Sequence, residues 1–267
     1  MLSINSVRSI LEPLSFEQFP KDVLLDIFLR ISWRDLGAVR RVCRRWRVLG
    51  SDARLIPLWP KVFGARAWRE YFGEVGAEPP LPDEIWKILT GPCPFWPGKK
   101  VSESHLLTLI PTHVNEKPFC LDSLRELIQH PRQGPATNYR YYSKDIKPED
   151  KTRAPAKAYW VLLTRDVLPD TRNKTFQEQK QKVDSIGSGY ELPGLLEVVT
   201  SILIEHVRSG KRLYSDAPYT YTRCQETGSY GYHCIVGGFS ASGVDVYSVS
   251  DGTRRENFGV GVRRKFW

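Results

Sequence analysis

The chain has 267 residues, 41% hydrophobic and 12% aromatic, with 39 Lys and Arg against 30 Asp and Glu for a formal net charge of +9. That apolar content excludes global disorder and suffices for a buried core in one or two domains. The most apolar stretch, Leu195 to Val207, holds Glu197 and Glu205 and is shorter than the roughly 20 residues of a membrane span.

Residues 1–18 carry Glu12 and Glu17 and no apolar run, so no cleaved secretory segment is expected and residues 1–15 read as a tail. Five scattered cysteines, Cys43, Cys93, Cys120, Cys224 and Cys234, form neither a disulfide framework nor a CxxC pair. The expectation is a reducing, cytoplasmic setting with no metal and no other cofactor.

The first patterned block spans residues 16–63. Pro20 stands at the first position of a helix in which Leu24, Ile27, Phe28 and Ile31 recur at helical spacing. Ser32 and Asp35 resemble a capping box opening a second helix, whose apolar face is Leu36, Val39, Val42, Cys43 and Trp46. Arg30, Arg34, Arg40, Arg41, Arg44, Arg45 and Arg47 take the opposite side. A third segment carries Leu55, Leu58 and Trp59 before Pro60 and Phe63. Three short helices of this size hide too little apolar surface to stand alone without a metal, a disulfide or a partner. An apolar excess on such a unit marks an interaction surface.

Phe19-Pro20, Val23-Leu24-Leu25, Ile27-Phe28, Asp35-Leu36, Val39-Arg40, Val42-Cys43-Arg44-Arg45-Trp46 and Leu58-Trp59 together resemble an F-box, whose pattern is roughly LPxELLxxIF, xxxDLxxxRxVCxRW, xxxxxxLW. Phe19 replaces the usual leucine, and Val23 stands near the usual Glu-Leu pair. The resemblance implies a three-helix unit that docks on a Skp-type adaptor and, through it, joins a cullin–RING (SCF-type) ubiquitin ligase. Carried over by position, Phe19, Pro20, Leu24, Ile27, Phe28, Leu36, Val39 and Val42 face the adaptor, with Cys43 and Trp46 part packing and part contact.

Residues 64–100 are rich in Pro and Gly, yet embed Trp86, Phe95 and Trp96, which reads as a packed connector. Residues 101–267 read as a mixed α+β domain. Helices are expected at Leu121 to His130, capped at Asp122, at Phe176 to Val183 as a polar surface helix, and at Leu192 to Arg208. The last begins at Pro193, lines one face with Leu196, Val199, Ile202, Leu203 and His206, and ends at Gly210. Strands are expected at Asn138 to Tyr142 and Tyr159 to Thr164. Four more, Tyr219–Arg223, His233–Phe239, Gly243–Val249 and Phe258–Lys265, are separated by glycines and read as a C-terminal antiparallel meander.

The runs Pro92-Cys93-Pro94-Phe95-Trp96-Pro97-Gly98-Lys99, Trp160 to Val167, Tyr221-Thr222-Arg223-Cys224 and Gly261 to Phe266 resemble the C-terminal module of F-box proteins of Chlamydia-related intracellular bacteria. This resemblance implies an effector working in a host cytosol with the host's adaptor, and it brings no catalytic activity with it.

No phosphate loop, zincin helix, kinase set or nucleophile elbow is present, and no catalytic residue is expected. His233 and Cys234 are adjacent on a strand and point to opposite faces, which argues against a dyad. His105, His113 and Cys120 have no catalytic or ligand spacing. Asp166 with Asp170, and Glu191 with Glu197, read as solvated carboxylates, and Arg254, Arg255, Arg263, Arg264 and Lys265 as a solvated basic stretch. Tyr139, Tyr141, Tyr142, Tyr219, Tyr221, Tyr230 and Tyr232 with Arg140, Arg212 and Arg223 suit packing and sheet surface better than base stacking, so nucleic acid is not an expected partner. The expected partners are the adaptor and a client protein that the sequence does not identify.

Overall fold

The computed structural model describes residues 62–82, 84–141, 145–187 and 189–266. The chain divides after Lys61, and the second unit begins at Val62. The three helices expected within residues 16–63 lie outside the described residues, apart from Val62 and Phe63. These two form strand β1 (Val62–Phe63), and Phe63 is buried in the core of the second unit.

The elements that follow are α1 (Ala65–Tyr71), α2 (Ile85–Thr90), α3 (Val101–Ser104), β2 (His105–Ile110), β3 (His113–Val114), β4 (Lys117–Pro118), α4 (Leu121–Gln129), β5 (Tyr139–Tyr141), α5 (Pro148–Thr152) and β6 (Tyr159–Thr164). Then come α6 (Phe176–Asp184), α7 (Leu195–Ser209), β7 (Tyr221–Thr227), β8 (His233–Ser240), β9 (Gly243–Ser248), β10 (Phe258–Gly259) and β11 (Arg263–Phe266). The class is α+β.

A four-stranded sheet runs β1-β2-β6-β11, with β1 parallel to β2 and both β2 and β11 antiparallel to β6. Every residue of β2 and of β6 is buried, so each reads as a continuous apolar run without alternation. A five-stranded sheet runs β10-β7-β8-β9-β5. Its middle, β7-β8-β9, is the expected antiparallel meander, but β10 and β5 join its two edges in parallel.

The expected strand Phe258–Lys265 is therefore two strands in two sheets. Phe258 and Gly259 pair with β7, while Arg263 to Phe266 pair with β6. Val260 and Val262, between them, are fully buried against Leu168, Phe176, Val183 and Leu192. Buried backbone donors in this crossing must find acceptors. The Val260 N–H donates to Thr171 Oγ1 (3.3 Å), Gly261 to Thr222 Oγ1 (2.8 Å) and Val262 to Thr164 Oγ1 (3.1 Å). Gly261 has no room for a side chain, because a Cβ would stand 2.7 Å from the Tyr214 hydroxyl and 2.9 Å from Thr164 Oγ1.

Helix α7 touches β2 and β6 of one sheet and β7 and β8 of the other, and so lies between them. An apolar stripe suits a helix with one face on a core; a helix buried on all sides needs more. Here Val198, Ile204 and Val207 are buried along with the expected Val199, Ile202, Leu203 and His206, whereas Leu196 is half-exposed. Pro193 precedes the N-cap, Gly194, and Gly210 ends the helix in the left-handed region (φ 73°). In α4 the N-cap is Cys120, with Asp122 in the first turn, and the Cys120 N–H donates to Ser123 Oγ (2.9 Å). Helix α6 is less superficial than its polar sequence suggests, since Phe176, Gln179 and Val183 turn inward.

The Pro/Gly-rich stretch contributes core as well as connection. Trp68 is fully buried, with its ring 5.5 Å from that of Phe63 and 5.1 Å from that of Phe119, and its Nε1 donates to the Leu109 carbonyl (2.8 Å). Trp160 Nε1 reaches back to the Pro79 carbonyl (2.9 Å). Phe95 and Trp96 pack with Tyr190 against the Val260–Val262 cluster. Trp68→Ala removes the centre of the first cluster and is expected to cost about 3–5 kcal/mol, read as a lower midpoint in urea unfolding followed by circular dichroism.

Candidate functional site

The first turn of α7 carries Glu197, which the sequence presents as a solvated carboxylate. The structure corrects this: Glu197 is 1% exposed, and Arg263, read as part of a solvated basic stretch, is 4% exposed. Strand β11 lies beside the start of α7, so its alternate residues Arg263 and Lys265 reach the same carboxylate. Glu197 Oε1 accepts from the Tyr159 hydroxyl (2.7 Å) and faces Lys265 Nζ (3.1 Å). Its Oε2 accepts the Gly194 N–H (2.8 Å) and an N–H of Arg263.

All three guanidinium nitrogens of Arg263 are used: Nη1 on Glu197, Nε on Glu191 (3.2 Å) and Nη2 on Gln225 (2.9 Å). Burial alone would raise the Glu197 carboxyl, but Arg263, and after it Lys265 and the Tyr159 hydroxyl, hold it below its ordinary value. Burial and the Glu197 charge push the Tyr159 hydroxyl upward, so it stays a donor. Gly194 is the space that lets these groups meet. A Cβ there would lie 2.9 Å from Arg263 Nη1 and 3.1 Å from Glu197 Oε2.

This network forms one wall of a cavity of about 430 Å³. The opposite wall is the segment after α5, with Arg153, Ala154, Pro155 and Lys157; Leu121, Leu195, Leu196 and Tyr159 give apolar surface, and Gln225 and Glu226 close one side. Glu226 Oε2 accepts the Leu195 N–H (2.7 Å). Burial pushes its carboxyl upward, opposite in direction to Glu197. Glu197 is thus paired with two cations, while Glu226 on β7 accepts a backbone N–H and lies within the influence of the same Arg263.

The other groups considered from sequence do not gather into a site. Cys224 and Cys234 are buried, and burial raises the first thiol well above its ordinary value and the second to about 12, the opposite of an activated nucleophile. His233 turns to Asp251, with Nδ1 2.9 Å from Oδ2, and stacks on Phe176 at 3.5 Å. His105 is buried among Phe95, Trp96 and Tyr190, its Nδ1 2.9 Å from Ser104 Oγ, and burial lowers it to about 4. His113 lies beside Thr112 and Cys120 caps α4. Arg223 is fully buried beneath Thr253 and Phe258, Tyr139 and Tyr221 are buried too, and Tyr219, Tyr230 and Tyr232 are exposed.

Among the described residues no three His, Cys, Asp or Glu side chains converge as metal ligands, and no helix is long and apolar enough to cross a membrane. The expected adaptor-facing residues, Phe19, Pro20, Leu24, Ile27, Phe28, Leu36, Val39, Val42, Cys43 and Trp46, all lie outside the described residues. Sequence reading missed the cavity because its ionic residues come from positions 150–159, 194–197, 225–226 and 263–265. Only the two glutamates inside an apolar helix signalled a buried charge.

Residues 16–62 match the family model described as F-box-like. No curated protein and no solved structure matches the chain.

Removing one partner of a buried ion pair leaves the other uncompensated, at about 3–5 kcal/mol. Glu197→Gln is expected to lower stability on that scale in urea unfolding at pH 7. A folded carboxyl held below its unfolded value stabilises above the unfolded value, about 4.3, and loses that stabilisation as pH falls through the folded one. Melting temperatures measured from pH 7 downward therefore show a steeper acid decline for the unmodified chain than for Glu197→Gln.

Proposed function

We propose that the chain is a substrate-receptor subunit of a cullin–RING (SCF-type) ubiquitin ligase. The observation that carries the reading is the F-box-like match over residues 16–62, in register with the helical spacing of its apolar residues. F-box domains bind Skp-type adaptors. Phe19, Pro20, Leu24, Ile27, Phe28, Leu36, Val39 and Val42 face the adaptor in this reading, with Cys43 and Trp46 part packing and part contact. An interface of standard size buries about 1,600 Å², and a few aromatic and apolar anchors supply most of its energy. The arginines between Arg30 and Arg47 steer association with an acidic adaptor surface.

The α+β unit recruits the client, and the α7 cavity is a shaped, chemically distinct surface that suits this. Such a subunit contributes proximity: it raises the effective concentration of client lysines near a conjugating enzyme carried by other subunits. It needs no catalytic residue of its own, in keeping with the inert thiols of Cys224 and Cys234. The resemblance of the second unit to bacterial F-box proteins extends the proposal to an effector that uses a host's adaptor and cullin in the host cytosol.

The test is co-purification of the full chain with a eukaryotic Skp-type adaptor, beside a Pro20→Ala/Leu24→Ala variant checked for fold by circular dichroism. The expected result is a stoichiometric complex for the unmodified chain and none for the double variant. An unmodified chain that elutes without the adaptor overturns the reading.

A further inference from the structure

The charges around the α7 cavity are sorted by depth. Its lining holds four cations, Arg153, Lys157, Arg263 and Lys265, against three carboxylates, Asp150, Glu197 and Glu226. The carboxylates lie inward: the side chains of Asp150 and Glu197 are 11% and 2% exposed, and Glu226 is half-buried. The cations reach outward. The Arg153 side chain is 66% exposed, Lys157 is exposed on the same wall, and Lys265 keeps 22% of its side chain in solvent. We propose that this cavity takes a carboxylate, that of a glutamate or aspartate side chain on a client segment, with Arg153 and Lys157 as its cationic contacts. The proposal rests on the client-recruiting role assigned to this unit and names the chemistry by which that role selects.

Three observations support it. Exposed cations over buried carboxylates make the mouth electropositive, which steers anionic groups inward and turns cationic ones away. Arg153 faces Asp150 at 3.1 Å, but a guanidinium has donors for more than one carboxylate. Arg263 shows this in the same lining, where it serves both Glu197 and Glu191. The volume, about 430 Å³, admits a side chain with its backbone, and Ala154, Pro155 and half-exposed Leu196 give apolar surface beside the cations. The start of α7 is not the holder, because the Gly194 and Leu195 N–H groups are taken by Glu197 and Glu226.

The probe is the capped peptide acetyl-Ala-Glu-Leu-Glu-Ala-amide, beside its counterparts with Gln or Lys in place of Glu, and acetate and inorganic phosphate as free anions. Each is titrated into the full chain at pH 7 and followed by NMR chemical shifts. The expected result is saturable binding of the glutamate peptide, weakened by salt and roughly tenfold weaker in Arg153→Gln/Lys157→Gln. Both residues are exposed, so the variant keeps its melting temperature. A control variant, Lys182→Gln/Lys211→Gln, removes the same charge at exposed positions outside the lining and binds as the unmodified chain does. Equal binding of the Gln or Lys peptide, or equal loss in the control variant, overturns the carboxylate site. Acetate or phosphate binding as tightly as the peptide points to a diffusible anion and overturns the client-segment source. Adaptor co-purification reads a different part of the chain, so peptide binding without adaptor binding overturns the receptor role and leaves the cavity's chemistry standing.

Discussion

A helix buried on all sides cannot carry a naked charge, and α7 carries two. Glu197 near its start and Glu205 near its end are both buried, and each is met by two cations: Arg263 and Lys265 at one end, Arg165 and Arg208 at the other. Desolvating a carboxylate costs several kcal/mol unless such partners are in place. The pairs therefore act as positional constraints. Arg165 directly follows β6, Arg263 and Lys265 are β11, and so the helix is pinned along its axis to the four-stranded sheet at both ends. The five-stranded sheet meets the helix through apolar contacts and one hydrogen bond at its start, from the Leu195 N–H to Glu226 of β7.

That constraint also shapes the cavity. Because Glu197 draws Arg263 and Lys265 inward, the start of α7 faces a wall of matched charge, and Glu226 on the adjoining strand accepts the Leu195 N–H within the influence of the same Arg263. For the proposed client-recruiting role, a surface ordered before binding loses less side-chain entropy. In that proposed role the unit supplies hold and proximity. Burial raises the Cys224 and Cys234 thiols above their ordinary value and lowers His105 to about 4.

The sequence was legible where one physical signal dominates. β6 shows a continuous apolar run, the glycines around β8 and β9 mark its turns, and α7 is apolar with a glycine stop. β2 has the same buried character as β6, but Leu106, Leu107, Leu109 and Ile110 beside His105 and Thr108 fit a helix as well as a strand, and only the pairing with β6 decides. The run from Phe258 to Lys265 reads as one strand because no local feature announces a change of sheet; Thr164, Thr171 and Thr222, which receive its donors, come from far along the chain. Glu197 shows the same limit. Its burial follows from Arg263 and Tyr159, and nothing within a turn or two of it reveals them. The set expected to face the adaptor rests on local spacing in the sequence alone and lies outside the described residues.

The four-stranded sheet draws its edges from the two ends of the described unit, β1 at Val62 and β11 at Phe266, around a centre made of β2 and β6. Pairings between such distant segments are slow to form, because loop-closure entropy is lost before any contact rewards it. The meander β7-β8-β9, by contrast, closes through short connections and can form early. In the interval β6 has no partner on the side that β11 will cover, and its exposed edge is Tyr-Trp-Val-Leu-Leu-Thr, a short, uncharged, strongly β-forming segment. The order in which the last strand arrives therefore sets how long the unit spends in an association-prone state, and Lys157 before β6 and Arg165 after it flank that edge with charge as its gatekeepers.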